Sequence, residues 1–356
     1  MTTISLQRLG IRMGAPSLMI LPVLGVALVA VFVLSLGIGA VHIAPVQVTG
    51  ILAQRLLGLE IGADYTLQQD LVLWNIRLPR VLLGGMTGAG LAVAGASLQG
   101  IFRNPLADPG LIGSSAGGGV GAVGMIMLGV APLGSFSMPA AAFCGSLLLT
   151  TLVYLLSRHD GRTEVVTLIL TGVALNAIAF ASIGFMNFYA TDAQLRSIVF
   201  WQMGSLGGGT WRVVFATAPF VAAGVLLMLT LRRHLNLMML GEREAFHLGL
   251  RTERLRMQII GASALIAGSV VAAIGIVGFV GLVVPHLLRL VIGPDNRTLL
   301  PAAALGGAIL MLLADLIART VLSPLELPLG IVTALLGGPY FLWLLHRTRR
   351  MQGGWG

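Results

Sequence analysis

The sequence predicts an all-α, polytopic membrane protein with about ten transmembrane helices, because apolar runs of 18 or more residues read as bilayer-spanning segments. Three observations carry this prediction. First, 56% of the 356 residues are hydrophobic and only 10% are charged, against roughly 25% charged in ordinary soluble domains. Mean hydropathy is +0.94. A soluble chain of this length would need a charged shell that this one lacks. Second, runs of spanning length recur along the whole chain. Third, the arginines sort into alternate connections between those runs.

The first run, Ser17–Gly39, is too long for a secretory apolar core, and no small-residue cleavage pattern follows it. It is therefore expected to remain as a helix. The next six runs are Val81–Ile101, Gly110–Val130, Pro139–Leu156, Val165–Phe188, Val213–Leu231 and Met257–Ile274. Phe279–Ile292 is short, which suits a tilted or partly protein-buried segment. Leu300–Ile317 and Gly330–Leu345 complete the set. Residues 1–356 are read as a single transmembrane domain, with 232–256 as a cytoplasmic loop within it.

Arginine placement orients the spans. With the N-terminus inside, the inner segments hold Arg8, Arg12, Arg103, Arg158, Arg162, the Arg232–Arg256 cluster, Arg289, Arg297 and Arg347–Arg350. The outer segments hold Arg55, Arg77, Arg80, Arg196, Arg212 and Arg319. Both termini are predicted to be cytoplasmic, in a bacterial inner membrane.

All 22 basic residues are Arg. Without Lys the chain cannot form a G-x-x-x-x-G-K-[ST] phosphate loop. If ATP drives its work, another subunit hydrolyses it. The net charge of +9 suits membrane lipid headgroups or acidic partners. No nucleic-acid partner is expected, because no long basic tract exists. Cys144 is the only cysteine and lies in an apolar run. It reads as a packing residue, and no disulfide can form within the chain.

Glycine is abundant, at 48 residues. Gly84-x-x-x-Gly88, Gly113-x-x-x-Gly117 and Gly117-x-x-x-Gly121 read as close helix contacts. The triple Gly117–Gly119 weakens a helix and reads as a break beside a cavity or within protein.

Several segments carry polar chemistry. Residues 232–256 read as short amphipathic helices punctuated by Gly241 and Gly249. They suit either a lipid surface or a groove in a cytoplasmic partner. Arg103-Asn104-Pro105-Leu106-Ala107-Asp108-Pro109 breaks the helix at the inner face. It is either a plain loop or a rigid turn that occludes a pore. Trp74-Asn75-Ile76-Arg77-Leu78-Pro79-Arg80 sits at the outer headgroup level. It is either an interfacial anchor or a docking point for an acidic external surface. Asp315 and Arg319 stand i, i+4 and can pair on one helix face. His286 is a lone intramembrane histidine, and a packed hydrogen-bonding role outweighs ligation. No metal-ligand spacing and no cofactor motif is found.

At these segments the chain resembles the FecCD-type permeases, the membrane subunits of ABC importers for ferric siderophores, haem and cobalamin. The matching stretches are Arg77–Arg80, Gly90–Gln99, Arg103–Pro109, Leu240–Gly249, Phe279–Arg289, Asp315–Arg319 and Glu326–Gly330. The resemblance runs from about Trp74 to Leu345. It implies a BtuC-like permease fold and a homodimer with the path on its two-fold axis. It also implies two copies of a cytoplasmic ABC ATPase and a periplasmic substrate-binding protein. Carried over by position, Arg77, Arg80 and Arg319 are expected to meet acidic side chains of the binding protein. Asn104, Pro105 and Leu106 are expected in the cytoplasmic gate. Gly241, Glu242, Ala245, Leu248 and Gly249 are expected to couple to the ATPase. Asn176, Ser182 and Asn187 of the fifth span are expected along the path. The cargo is expected to be an iron complex, haem foremost, with ferric siderophore and cobalamin as alternatives.

Two other functions compete. An ion-gradient transporter would want carboxylates mid-membrane, and only Asp315 stands near a helix end. An intramembrane enzyme built on His286 lacks a nucleophile or metal set beside it. The chain is therefore expected to be a non-catalytic subunit without a catalytic site.

Overall fold

A computed structural model describes residues 16–351 apart from residues 61, 63, 160 and 161. Arg8 and Arg12, which contribute to the predicted orientation, lie outside the described residues. In chain order the helices are α1 (Pro16–Gly37), α2 (Pro45–Leu57), α3 (Leu67–Val72), α4 (Leu78–Phe102), α5 (Ser114–Leu128), α6 (Ser137–Leu156) and α7 (Val165–Tyr189). They continue as α8 (Asp192–Gln202), α9 (Trp211–Thr230), α10 (Arg232–Leu240), α11 (Glu242–His247), α12 (Thr252–Ile274), α13 (Val280–Ile292), α14 (Asn296–Thr320) and α15 (Leu329–Met351). A two-rung antiparallel hairpin, β1 (Arg158–His159) with β2 (Arg162–Thr163), links α6 to α7.

Every expected span has its helix. Seven helical stretches are long and apolar enough to cross a bilayer, and the shorter apolar helices Ser114–Leu128, Val280–Ile292 and Leu329–Leu342 fill the remaining places. The third span is short because its first turn is a separate 3-10 turn, Pro109–Ile112. Asp108 caps that turn by accepting from the Gly110 amide at 2.8 Å.

Helices absent from the sequence reading are α2, α3 and α8. Each is too short or too polar to register as a span. All three nonetheless carry explicit start signals. Thr66 accepts from Gln69 N and Thr191 from Gln194 N, each in a capping box. The stretch Trp74–Arg80, which precedes the second expected span, is helical. A π-helical turn at Leu73–Arg77 joins α3 to α4, so helix runs from Leu67 to Phe102. The wider turn lies directly before Pro79, where it relieves the clash of the ring with the preceding turn.

The core lies where α4 crosses its neighbours. α4 packs against α9, α12, α13 and α14, and its spanning segment is the most enclosed of the long helices. α12 is the second buried helix and bridges α4 to the α5–α6 pair. α1 lies on α14, and α7 lies on α5 at the other flank. Backbone-to-backbone approach makes this density possible. A Cβ built at Gly95 would overlap the Gly281 carbonyl, and one at Gly88 would overlap the Gly307 carbonyl. Those contacts bind α4 to α13 and to α14.

Two readings need correction. Gly117–Gly119 does not break a helix, because all three residues lie inside α5 and are buried. Gly117 abuts Gly145 of α6, and Gly118 meets Val271 of α12. Small size is needed there for helix contact, not for a kink. Cys144 is not a packing residue, because it lies exposed on α6.

Gly95→Val should separate α4 from α13. Overpacking of this kind costs about 1–3 kcal/mol. The expected result is a lower melting temperature in detergent, read by intrinsic fluorescence. An unchanged melting temperature would contradict the contact.

Candidate functional site

The polar residues gather at two opposite ends of the bundle, with a turn and a half-buried helix between them. At one end, Arg80 of α4 is 8% exposed and holds two carboxylates at once. Its Nε donates to Asp315 Oδ1 at 3.0 Å and its Nη2 lies 2.8 Å from the same oxygen. Its Nη1 and Nη2 donate to Glu326 Oε1 and Oε2 at 2.8 and 2.9 Å. This fork joins α4 to α14 and to the connection leading into α15. The paired hydrogen bonds from Arg80 hold the Glu326 carboxyl below the usual carboxylate range.

Arg319 stands beside this fork, 3.5 Å from Asp315 Oδ2. The i, i+4 pair expected from sequence is therefore present. Its Nη1 donates to the Ile38 carbonyl at 2.9 Å, and its Nη2 donates to the Ser35 carbonyl. Arg77 donates to the carbonyls of Leu36 (2.6 Å), Gly37 (2.9 Å) and Val41. Two guanidiniums thus cap the C-terminus of α1, where orphan carbonyls and the negative end of the helix dipole favour positive charge.

The three arginines expected to meet an external partner are in this way occupied within the chain. Arg77 is 5% exposed, and the Arg319 side chain 7%. Accessible charges nearby include Glu326, at 46% side-chain exposure, and Arg55, at 40%. Arg55 pairs with Asp70 and lies over the Trp74 ring, 5.8 Å from its centroid.

The turn after α4 begins where Arg103 ends that helix in the left-handed region, φ 49°. Asn104 Oδ1 accepts from the Leu106 amide at 2.9 Å, which fixes an Asx turn around Pro105. The Leu106 side chain projects outward, at 42% exposure. The turn is not independent of α7. Asn176 Nδ2 donates to the Gly110 carbonyl at 3.0 Å, and Gly172 abuts the Leu111 carbonyl. Asn176 therefore holds the end of the turn. Ser182 donates to its own helix at Ile178 O, 2.9 Å, while the Asn187 side-chain carbonyl is buried without a partner. The structure does not bring Asn176, Ser182 and Asn187 into one cluster.

At the opposite end, α10 and α11 form the amphipathic segment. Gly241 (φ 133°) and Gly249 (φ 84°) make the two bends that sequence assigned to them. Ala245 is fully buried, and Leu250 N bonds back to its carbonyl at 3.0 Å. Phe246 and Leu248 face outward, at 66% and 60% exposure. Two clamps fix this knob. Asn236 of α10 donates to Asp295 Oδ1 at 2.6 Å and accepts from the Asn296 amide at 2.8 Å. Arg256 of α12 reaches Glu242 Oε2 at 2.6 Å and the Thr163 carbonyl at 2.7 Å. Glu253 accepts from Tyr154 Oη at 2.9 Å and from Thr163 N at 3.1 Å, which ties the hairpin to α6 and α12.

The clamp residues Asn236, Glu253, Arg256, Asp295 and Asn296 were missed by the sequence reading. Their signal was polarity just outside an apolar run, which any loop shares.

His286 forms no hydrogen bond through either ring nitrogen, and its ring centroid lies 6.5 Å from that of Tyr340. Among the described residues no group of three His, Cys, Asp or Glu side chains could hold a metal.

A multi-pass helical bundle with a clamped apolar knob at one end and an internal ion-pair network at the other defines an integral membrane protein. The chain belongs to the FecCD transport family, whose pattern matches residues 27–347. It is 46% identical over 283 residues to the hemin transport system permease protein HmuU of Yersinia pestis, covering 79% of this chain and 84% of that one. It is 40% identical over 293 residues to the vitamin B12 import system permease protein BtuC of Shigella boydii, covering 82% and 89%. A solved structure described as an inward-facing conformation of a metal-chelate type ABC transporter superposes with a TM-score of 0.79 at 34% identity, covering 92% of this chain and 99% of that one. The chain is thus an ABC importer permease of the inner membrane.

Breaking a buried ion pair by removing one partner costs about 3–5 kcal/mol. Arg80→Ala should therefore lower the melting temperature far more than Glu326→Gln, because Glu326 is itself half exposed and an ion pair of that kind is worth about 1 kcal/mol or less. Equal shifts in a thermal scan would refute a structural role for the fork.

Proposed function

We propose that this permease imports haem from the periplasm, as a homodimer driven by two copies of a separate ABC ATPase and fed by a periplasmic binding protein. The observation that carries the assembly is the knob at Phe246 and Leu248. An exposed aromatic and an exposed leucine, held by two polar clamps, suit a hydrophobic cleft of a cytoplasmic partner. Lipid is the other surface that the amphipathic pattern allowed. Rigid attachment to α12, α14 and the hairpin favours the cleft, because a lipid-floating helix needs no clamps. Gly241, Glu242, Ala245, Leu248 and Gly249 accordingly act in coupling, with Glu242 serving through Arg256. On this reading the knob end and both termini lie in the cytoplasm.

On the outer side, Arg77, Arg80 and Arg319 shape the surface that a binding protein meets, while Glu326 and Arg55 supply accessible charge. α7 supports a dimeric path, because Phe180, Phe185 and Phe188 are exposed apolar groups on it. Asn176, Ser182 and Asn187 then lie on the path helix, and Asn104–Leu106 form the gate that α7 holds through Asn176. Haem is favoured over cobalamin by the higher identity to the hemin permease than to the vitamin B12 permease.

Replacing both Phe246 and Leu248 by Glu should weaken ATPase association at least tenfold in a pull-down and abolish uptake, with an unchanged gel-filtration profile. Retained association would reject the knob as the coupling surface. Cargo is tested separately in proteoliposomes holding the assembled transporter, with haem, cobalamin and a ferric hydroxamate each presented on its own binding protein. Haem should accumulate fastest. Faster cobalamin or hydroxamate uptake would overturn the cargo while leaving the assembly standing.

A further inference from the structure

A large cleft opens between α6 and α9 at the Arg80 end of the bundle, and nothing in the transport reading uses it. Its volume is about 790 Å³, within the range of roughly 300–1,000 Å³ typical of ligand sites. Both helices lie on α12, whose Ser269 and Ala273 form a floor of small side chains. The rings of Phe143 and Phe220 meet 5.1 Å apart and close the deep end. The lining is almost wholly apolar except at the mouth.

Arg212 occupies that mouth. Its Nη1 donates weakly to Ser135 Oγ at 3.4 Å, and its guanidinium lies over the Phe136 ring, 5.8 Å from the centroid. Among the described residues no carboxylate pairs with it. The N-termini of α6 and α9 open at the same level, so their dipoles add positive potential to the guanidinium. The neighbouring Trp211 packs on Trp74, 5.4 Å between centroids. Such an aromatic pair marks headgroup depth. From Arg212 to Phe220 the helix descends about 12 Å at 1.5 Å per residue. That nearly matches one leaflet of hydrocarbon, about 15 Å or half of a 30 Å core.

The geometry points to a binding site for one anionic glycerophospholipid, with its phosphate on Arg212 and an acyl chain lying down the cleft to the Phe143–Phe220 pair. A cation without an ionic partner, set above an apolar slot one leaflet deep, matches an amphiphile at both ends. Basic pockets between transmembrane helices hold anionic headgroups on the cytoplasmic side, and the same pairing of cation and apolar slot stands here at the opposite face.

The test uses the transporter purified with its ATPase in a neutral detergent and titrated with lipid under native mass spectrometry. Dioleoyl phosphatidylglycerol should bind the wild type at least fivefold more tightly than dioleoyl phosphatidylcholine. Arg212→Gln should abolish that preference without altering phosphatidylcholine binding or the gel-filtration profile, and Arg212→Lys should restore most of it. Dihexanoyl phosphatidylglycerol, with the same headgroup on short chains, should bind at least tenfold more weakly than the dioleoyl lipid. Equal affinity for the two headgroups, or a preference that survives in Arg212→Gln, would overturn the site. Full competition by inorganic phosphate, or equal binding of the short-chain lipid, would reduce it to a free-anion site and would overturn it as well.

Discussion

The buried Arg80 guanidinium, shared between Asp315 and Glu326, is the constraint on which the rest of the architecture turns. A cation inside an apolar bundle is tolerated only when its hydrogen bonds and charge are met. Meeting them here fixes the relative height of α4 and α14 and pins the start of the chain segment leading to α15. The same neighbourhood recruits Arg77 and Arg319, and through their carbonyl contacts it draws in the end of α1. Four separate chain segments therefore depend on one charge being satisfied.

Below that network, cohesion comes from closeness. Lipid gives apolar side chains no solvent reason to leave it, so transmembrane helices associate through van der Waals contact and small residues. Gly88, Gly95, Gly117 and Gly145 supply it by letting one helix touch the backbone of another. At the knob end the logic reverts to polar clamps, since water is near and a loop must be held without a large core. Asn236 and Arg256 each satisfy two segments at once.

Most of the fold was legible in sequence because hydropathy reports the one demand that lipid imposes everywhere. Each expected span coincides with a helix, and even the short eighth span was anticipated. Helices α2, α3 and α8 were not, because they are short or polar and answer to capping and local contacts instead. Residue types at the ends were legible too, but their partners were not. Arg77 and Arg80 read as outward charge, since a sequence shows that a guanidinium is present and not what it touches. The carbonyls that Arg77 occupies lie some forty residues earlier in the chain. The pairing of Asp315 with Arg319 was readable because both stand on one helix face.

The close backbone contacts are also unevenly distributed over the bundle. α4 meets both α13 and α14 through glycine at carbonyl distance, so α4 cannot slide along either without collision. α7 carries far less of its surface inside the protein, and its attachment to the turn after α4 runs through the Asn176 amide and the Gly110 carbonyl. Any displacement of α7 would act directly on that turn through this bond. α7 thus hangs on a closely packed frame and reaches the turn after α4 by two contacts, the Asn176 amide on the Gly110 carbonyl and Gly172 on the Leu111 carbonyl.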